Sequence, residues 1–415
     1  MSEQTKKAPV IRFQGFTDDW EQRKLEGIFG KIRNAFVGTA TPYYVEKGHF
    51  YLESNNVKDG KINRNSEIFI NDEFYEKQRD KWLHTNDLVM VQSGHVGHTA
   101  VIPEELDGTA AHALIMFQDY KVKSNPYFLN YQFHTSDSKK KLENITTGNT
   151  IKHILASEMK KFEVSLPNFE EQTKIGTFFK HLDDTIALHQ RQSDNYKELK
   201  KSMLQKMFPQ DGEKVPEVRF DGFTEEWEWR SLNSIVKRVT RKNKNLESNL
   251  PLTISAQHGL VDQNTFFNKQ VASKDVSGYY LVKKGEFAYN KSYSSGYPWG
   301  AIKRLDNYDI GVLSTLYIVF QPVNIVSDFL VTYYDTNLWH KEVSMRAAEG
   351  ARNHGLLNIS AQDFFETELI ISANTEEQAR IGSYFKQLDD TIALHQQKIT
   401  YLQILKNSLL NKMFI

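Results

Sequence analysis

The sequence predicts a mixed α/β (α+β) fold: two modules of one plan, joined by two long antiparallel helices in a pseudo-two-fold arrangement. Three observations carry that prediction. Short segments return in the same order across the two halves of the 415-residue chain, the signature of an internal repeat. Two of the repeated segments have the length and periodicity of long helices. The stretches between them differ from half to half, and in both they show short apolar runs broken by turn residues, as strands do.

The repeat is read directly. Arg12-Phe13-Gln14-Gly15-Phe16-Thr17-Asp18-Asp19-Trp20-Glu21 returns as Arg219-Phe220-Asp221-Gly222-Phe223-Thr224-Glu225-Glu226-Trp227-Glu228. Leu182 to Gln190 returns without a change as Leu388 to Gln396, and Lys206-Met207-Phe208 returns as Lys412-Met413-Phe414. A fixed frame around divergent inserts suggests two related modules with one architecture and two targets.

The helices follow from spacing. Asn168 with Glu171, and Asn374 with Glu377, stand at capping-box distance. No proline follows for about 39 residues, roughly 58 Å of helix. Ile175, Leu182, His189, Tyr196 and Met203 recur every seventh position, flanked by Phe179 and Ile186; Ile381, Leu388, His395, Leu402 and Leu409 do the same, flanked by Phe385, Ile392 and Ile399. A sustained seven-residue period calls for a packed helix pair.

In the inserts, Leu88 to Gln92 runs into the loop Ser93-Gly94-His95-Val96-Gly97-His98 and then Thr99 to Ile102. Gly285 to Asn290 runs into Lys291 to Gly300 and then Ala301-Ile302. Strand, glycine-containing loop and strand therefore stand at corresponding places, and glycine lets such loops turn sharply. A helix is predicted around Phe128–Tyr131 and another around Phe329–Tyr333. Each insert closes on a polar turn, 147–150 and 349–353.

Composition narrows the function. Hydrophobic residues make up 40% and charged residues 25%, and cysteine is absent, which excludes disulfides and thiolate metal sites. The polar beginning and the lack of any long apolar run point to a cytoplasmic protein without a membrane partner. Net charge is zero, so nucleic-acid binding has to come from local clusters such as Lys237, Arg238, Arg241, Lys242 and Lys244.

Covalent chemistry finds no support. Asn125-Pro126-Tyr127-Phe128 lacks the second proline of the adenine methyltransferase motif and reads as a helix start. No Gly-rich strand-to-helix turn and no phosphate-cradling loop occur. Asp183-Asp184 and Asp389-Asp390 cannot face one ligand, because adjacent helical residues point about 100° apart; they read as an exposed face or a partner contact. Residues suited to phosphates or base edges gather where loops are expected. In the first half these are Lys58, Lys61, Ser93, His95, His98, Asn149 and Lys152; in the second, Arg238, Arg241, Gln257, His258, Lys291, Ser292, Arg352, Asn353 and His354.

The Arg-Phe-x-Gly-Phe-Thr-x-x-Trp segments, the Glu-Glu-Gln followed by Ile-Gly-x-x-Phe and Leu-Asp-Asp-x-Ile, and Tyr289-Asn290-Lys291 with its loop resemble the specificity subunits of type I restriction-modification systems. The likeness runs over essentially the whole chain. It implies target recognition domains at 11–166 and 217–372, spacer helices at 167–208 and 373–415, a linker at 209–216 and an N-terminal tail at 1–10. It also implies double-stranded DNA, two modification subunits and two restriction subunits as partners. The chain itself is then non-catalytic and holds no cofactor or metal: S-adenosylmethionine, ATP and magnesium belong to the partners, and Asp183, Asp184, Asp389 and Asp390 are the expected docking acids. His95 and His98 depart from the pattern, standing where arginine or lysine is expected. Two other readings stay open: a paired-helix scaffold with protein-binding domains, and a fused methyltransferase-nuclease.

Overall fold

The computed structural model describes residues 8–148, 151–210, 212–255, 258–269, 271–292, 296–347 and 357–415. They divide into two compact units, Met1–Gln190 with Gln396–Ile415, and Arg191–His395.

The first unit is built on an antiparallel sheet of β2 (Phe29–Asn34), β11 (Leu114–Tyr120), β8 (Leu88–Val91) and β9 (Thr99–Val101), in that order. Its central strands read as unbroken apolar runs because both faces are covered. Leu88, Met90, Ile115 and Phe117 face one core, and Val89, Val91, Leu114 and Met116 face another. A smaller sheet of β3 (Tyr44–Val45), β4 (His49–Leu52), β7 (Phe69–Ile70) and β10 (Ala110–Ala111) adjoins it, with the hairpin β5–β6 (Val57–Lys58, Lys61–Ile62) and α1 (Asp72–Glu76). After β11 come α2 (Pro126–Gln132), α3 (Ser136–Ile145) and α4 (Ala156–Lys161). The module closes where β12 (Glu163–Leu166) pairs with β1 (Glu21–Lys24) and leads into α5 (Phe169–Lys206).

The second unit repeats the plan. Its β13 (Glu228–Ser231) pairs with β22 (Glu368–Ile371), and its central sheet runs β14 (Val236–Arg238), β21 (Ile318–Pro322), β18 (Phe287–Asn290) and β19 (Ala301–Arg304). Again alternate residues part between two cores: Phe287, Tyr289, Ile318 and Phe320 on one side, Ala288 and Val319 on the other. Between these come α6 (Leu232–Ile235), the hairpin β15–β16 (Leu252–Ser255, Gly259–Asp262), α7 (Gln263–Phe267) and the pair β17–β20 (Tyr280–Lys283, Ile310–Leu313). Then follow α8 (Ser327–Asp335), α9 (Leu338–Arg346), α10 (Ala361–Phe365) and α11 (Thr375–Met413).

Within each unit the long helices run antiparallel and pack together, as the expected helix pair does. In the first, Phe179 meets Phe414 and Asp183 pairs with Lys406. In the second, Phe208 meets Phe385, Lys200 pairs with Asp389, and Tyr196 stacks on His395. Of the predicted seam, Ile175, Phe179, Ile381, Phe385, Leu388, Ile399 and Leu402 are buried. Among the described residues no helix is long and apolar enough to cross a membrane.

The repeated motifs turn out to be a strap. The Arg12 guanidinium donates to both oxygens of Glu171 at 2.7 and 2.8 Å, and Arg219 does the same to Glu377 at 2.5 and 2.9 Å; both carboxylates are fully buried. Phe13 meets Phe178 edge-on and Phe220 meets Tyr384, while Lys174 lies over Phe16 and Arg380 over Phe223. Trp20 packs between Phe128 and Phe414, as Trp227 does between Phe329 and Phe208. These contacts explain why the two ends of each repeat stay alike while the middles diverge. They also correct the capping-box reading. Asn168 and Asn374 do cap, accepting from the backbone of Glu171 and Glu377, but the glutamate side chains serve the arginines instead of reaching back.

Gly176 and Gly382 sit inside these helices, where glycine costs stability. A Cβ on Gly176 would lie 2.4 Å from the Asn125 Oδ1 and 2.9 Å from the Phe128 nitrogen; on Gly382 it would lie 2.6 Å from the Phe329 nitrogen. The missing side chain lets the start of α2 or α8 rest on the long helix. Asn125 accepts from the Phe128 N–H with Pro126 in the first turn, which is the plain helix start read from the sequence.

Candidate nucleic-acid interface

In the first unit the loop between β8 and β9 turns on Gly94 and Gly97, at φ +80° and +85°. Two neighbours fix it. The Gly94 N–H donates to the Lys152 carbonyl at 3.1 Å, Ile154 donates to the Gln92 carbonyl at 3.0 Å, and Ser93 bridges to His153. On the other side stands the turn of the β5–β6 hairpin, where the Asp59 N–H donates to the His98 Nδ1 at 3.3 Å and Gly60 bridges to Ala100. Three sequence-assigned clusters therefore meet: Lys58, the loop with Ser93, His95 and His98, and Lys152. Lys58, His95 and Lys152 are exposed. With Lys139, Leu142 and Glu143 of α3, Thr146 just after it, and His134, the loop lines a cleft of about 350 Å³.

The histidines are not equivalent. Burial lowers the pKa of His98, consistent with a neutral ring accepting a backbone N–H. His134, behind the loop beside the Thr99 hydroxyl, is pushed down to about 3 by burial. Of the three, only His95 stands in the open.

The second unit places corresponding parts together. The Lys291 carbonyl accepts from the Leu357 N–H at 3.0 Å and its Nζ donates to the Ile359 carbonyl at 3.1 Å, so the strand-end and the segment after 356 are tied as 92–94 are tied to 152–154. Ser292 is half-buried, its N–H donating to the Asn290 side chain. Gly296, Tyr297 and Gly300 line a cleft of about 580 Å³ with Lys303, Asp335, Trp339 and His340, between the β18–β19 loop and the α8–α9 corner. Arg238 is exposed on the edge strand β14, and His258 on the β15–β16 turn.

Several sequence assignments are corrected by the direction of the side chain. Lys61 remains exposed, but its amine is tied down: Nζ donates to the main-chain carbonyl of Asp183 at 3.0 Å. Lys291 is turned inward, and Arg241 donates to both oxygens of Glu286 at 2.9 and 2.8 Å. Asp183 is 5% exposed and accepts from Tyr131 and Lys406, so it lies on no exposed face. Asp389 pairs with Lys200, and Asp184 with Lys180 one turn away. Asp390 is exposed. A charge withdrawn from water has to be paired, and the buried carboxylates of Asp183 and Glu286 find their cations far away in sequence, in Lys406 and Arg241. Asn149, Gln257, Arg352, Asn353 and His354 lie outside the described residues.

Sequence reasoning missed His134, Lys139, Tyr297, Lys303 and His340. The run Lys139-Lys140-Lys141 was a visible signal for α3; the others carry none that spacing reveals. Among the described residues no group of three or more His, Cys, Asp or Glu is placed to hold a metal.

Several known proteins are similar to this chain. Residues 17–197 match the type I restriction modification DNA specificity domain. A Methanocaldococcus jannaschii protein that carries the provisional name of type I restriction enzyme MjaX specificity subunit is 25% identical over 198 residues, 46% of this chain and 46% of its own length. The type I restriction enzyme MjaIX specificity subunit of the same organism is 26% identical over 107 residues, 26% of this chain and 24% of that one. Each match therefore spans less than half of the curated relative. In fold, the chain is similar to the crystal structure of the type I restriction-modification system S subunit from M. genitalium, with a TM-score of 0.65, 15% identity, and coverage of 98% of this chain and 99% of that one.

Proposed function

We propose, from the premise that residues 17–197 match the type I restriction modification DNA specificity domain, that the chain is the DNA-reading subunit of a type I restriction-modification enzyme. Each unit reads one half of a bipartite, asymmetric site in the major groove. The long helices set the distance between half-sites and dock two modification subunits, which bring S-adenosylmethionine and methylate adenine. Two restriction subunits add ATP- and magnesium-dependent cleavage. The chain itself does no covalent chemistry.

One observation carries this reading: both units set a glycine-containing β–loop–β segment beside the same helical corner, and furnish it with different side chains. One scaffold with two sets of readers suits a two-part site. Exposed Lys58, Lys139, Lys152 and Arg238 fit phosphates, which position a protein, while exposed His95 fits base edges, which specify.

Mapping methylated adenines in the host genome with the gene present and deleted tests the reading. One bipartite motif should vanish with the gene. Binding of that duplex by the chain with its modification subunit should fall steeply with salt, because phosphate contacts release counterions. A salt-independent affinity, or an unchanged methylation map, favours instead a scaffold for protein partners.

A further inference from the structure

We propose that the first aspartate of each Leu-Asp-Asp repeat, Asp183 and Asp389, anchors a polar relay from the helix pair to the strand behind the reading loop, and that Lys61 and Lys303 at the far ends are positioning residues for half-site recognition. The proposal rests on the functional reading above and assigns these groups a task inside each unit.

In the first unit Asp183 Oδ1 accepts from Lys406 Nζ at 2.6 Å and Oδ2 from Tyr131 Oη at 2.7 Å. Its main-chain carbonyl accepts from Lys61 Nζ at 3.0 Å. Lys61 opens β6, directly after the hairpin turn whose Asp59 N–H donates to His98. Asn130 closes the route, donating to the Gly60 carbonyl at 3.1 Å and accepting from the Thr99 hydroxyl at 2.7 Å. His98 and Thr99 are the end of the loop and the start of β9.

The second unit reaches the corresponding place by other residues. Lys200 Nζ donates to both oxygens of Asp389 at 2.7 and 2.8 Å and to Asp335 Oδ2 at 2.9 Å. Asp335 Oδ1 accepts from Lys303 Nζ at 2.8 Å. Lys303 lies on β19, the strand that leaves the loop. The aspartate–lysine head recurs in both units, Asp183 with Lys406 and Asp389 with Lys200, whereas the remainder is rebuilt for each insert. The recurring ion pair gives the first aspartate of each Leu-Asp-Asp a common task beside divergent modules.

The physical need is placement. Surface loops are mobile unless tied, and a site that discriminates by hydrogen bonds needs its donors held within about 0.5 Å. Long helices are the stiffest elements available in each unit. The relay fastens the loop base to them and keeps the base-reading face free.

Lys61→Met and Lys303→Met are the clean tests, because Asp183 keeps Lys406 and Tyr131, and Asp335 keeps Lys200. Each variant is expressed as the full chain with its modification subunit in a host lacking the gene, and adenine methylation is mapped. Lys61→Met should relax one half of the motif only, Lys303→Met the other only, each with about a tenfold loss of discrimination at one or two base pairs. The spacer and the slope of affinity against salt should stay unchanged. Lys61→Arg and Lys303→Arg should restore selectivity. Unaltered half-sites in both methionine variants would overturn the relay. So would a uniform loss of affinity with the salt slope reduced by about one, since that is the behaviour of a phosphate contact. A map in which the unaltered chain directs no bipartite motif overturns the functional reading itself.

Discussion

Replacing Glu377 by glutamine removes one charge from a pair the structure buries almost completely. The carboxylate is fully buried and accepts from Arg219 Nε at 2.5 Å, Arg219 Nη2 at 2.9 Å and Trp227 Nε1 at 3.2 Å. Its arginine partner has a side chain 11% exposed, and the hydrogen bond to Glu377 is the largest reason its pKa is raised. Glu377→Gln leaves that cation facing a neutral amide with almost no water. Breaking a buried pair in this way costs about 3–5 kcal/mol. Arg219→Met together with Glu377→Gln removes both charges and should cost far less than the two single changes added, a coupling of about 2 kcal/mol or more between contacting residues. Urea unfolding followed by tryptophan fluorescence reads this directly, because Trp227 shares the carboxylate. The midpoint should fall with little change in slope, the sign of lost stability without altered compactness. A shift below about 1 kcal/mol for the single variant, or a double variant as unstable as the sum, would refute the assignment of a buried strap.

Other outcomes follow from the same structure. His112 and Glu53 stand 3.3 Å apart; their hydrogen bond raises the imidazole above its ordinary 6.5 and lowers the carboxyl below its ordinary 4.5. The histidine's contribution is complete below pH 6.5 and fades as pH rises through its raised value; the glutamate's is complete above pH 4.5 and fades as pH falls through its lowered value. The small sheet of the first unit should therefore be most protected between these limits by hydrogen exchange, and Glu53→Gln should move the His112 titration seen by NMR downward. Exchanging residues 26–166 for those of a relative should change one half of the recognised motif and keep the other half and the spacer; a change in both halves would contradict two independent modules. Inserting four residues between Gln190 and Tyr196 adds ~6 Å of helix and should lengthen the tolerated spacer by one to two base pairs, as scored by methylation mapping. An unaltered spacer would mean that something other than the helices sets it.

Features that depend only on near neighbours are legible in the amino-acid order alone. The seven-residue seam, the caps at Asn168 and Asn374, the start at Asn125-Pro126 and the strand–loop–strand segments are set by residues within a few positions. The repeat added the two-unit plan, because a duplicated frame has to fold twice in the same way. The helix α3 escaped notice because Leu142 and Ile145 are its sole apolar residues, and α9 because its apolar residues follow no clear helical period.

What the sequence could not decide was where its charges point. Lys61 looks like any loop lysine, yet its amine meets Asp183 across 122 positions. Arg241 belongs to a basic run and still turns to Glu286, 45 positions on. Glu171 carries the mark of a capping box and spends its carboxylate on Arg12, 159 positions before it. Propensity and periodicity act through bonds along the chain, and so they fix which elements form. An ionic side chain chooses between water and a buried partner by a difference between large desolvation and Coulomb terms, and that difference exists only after the chain has brought the partner near. For this protein the sequence determined the frame, the repeat and the strand–loop–strand segments; the packing of sheet on helix decided which cations turn inward to hold the loops and which face outward.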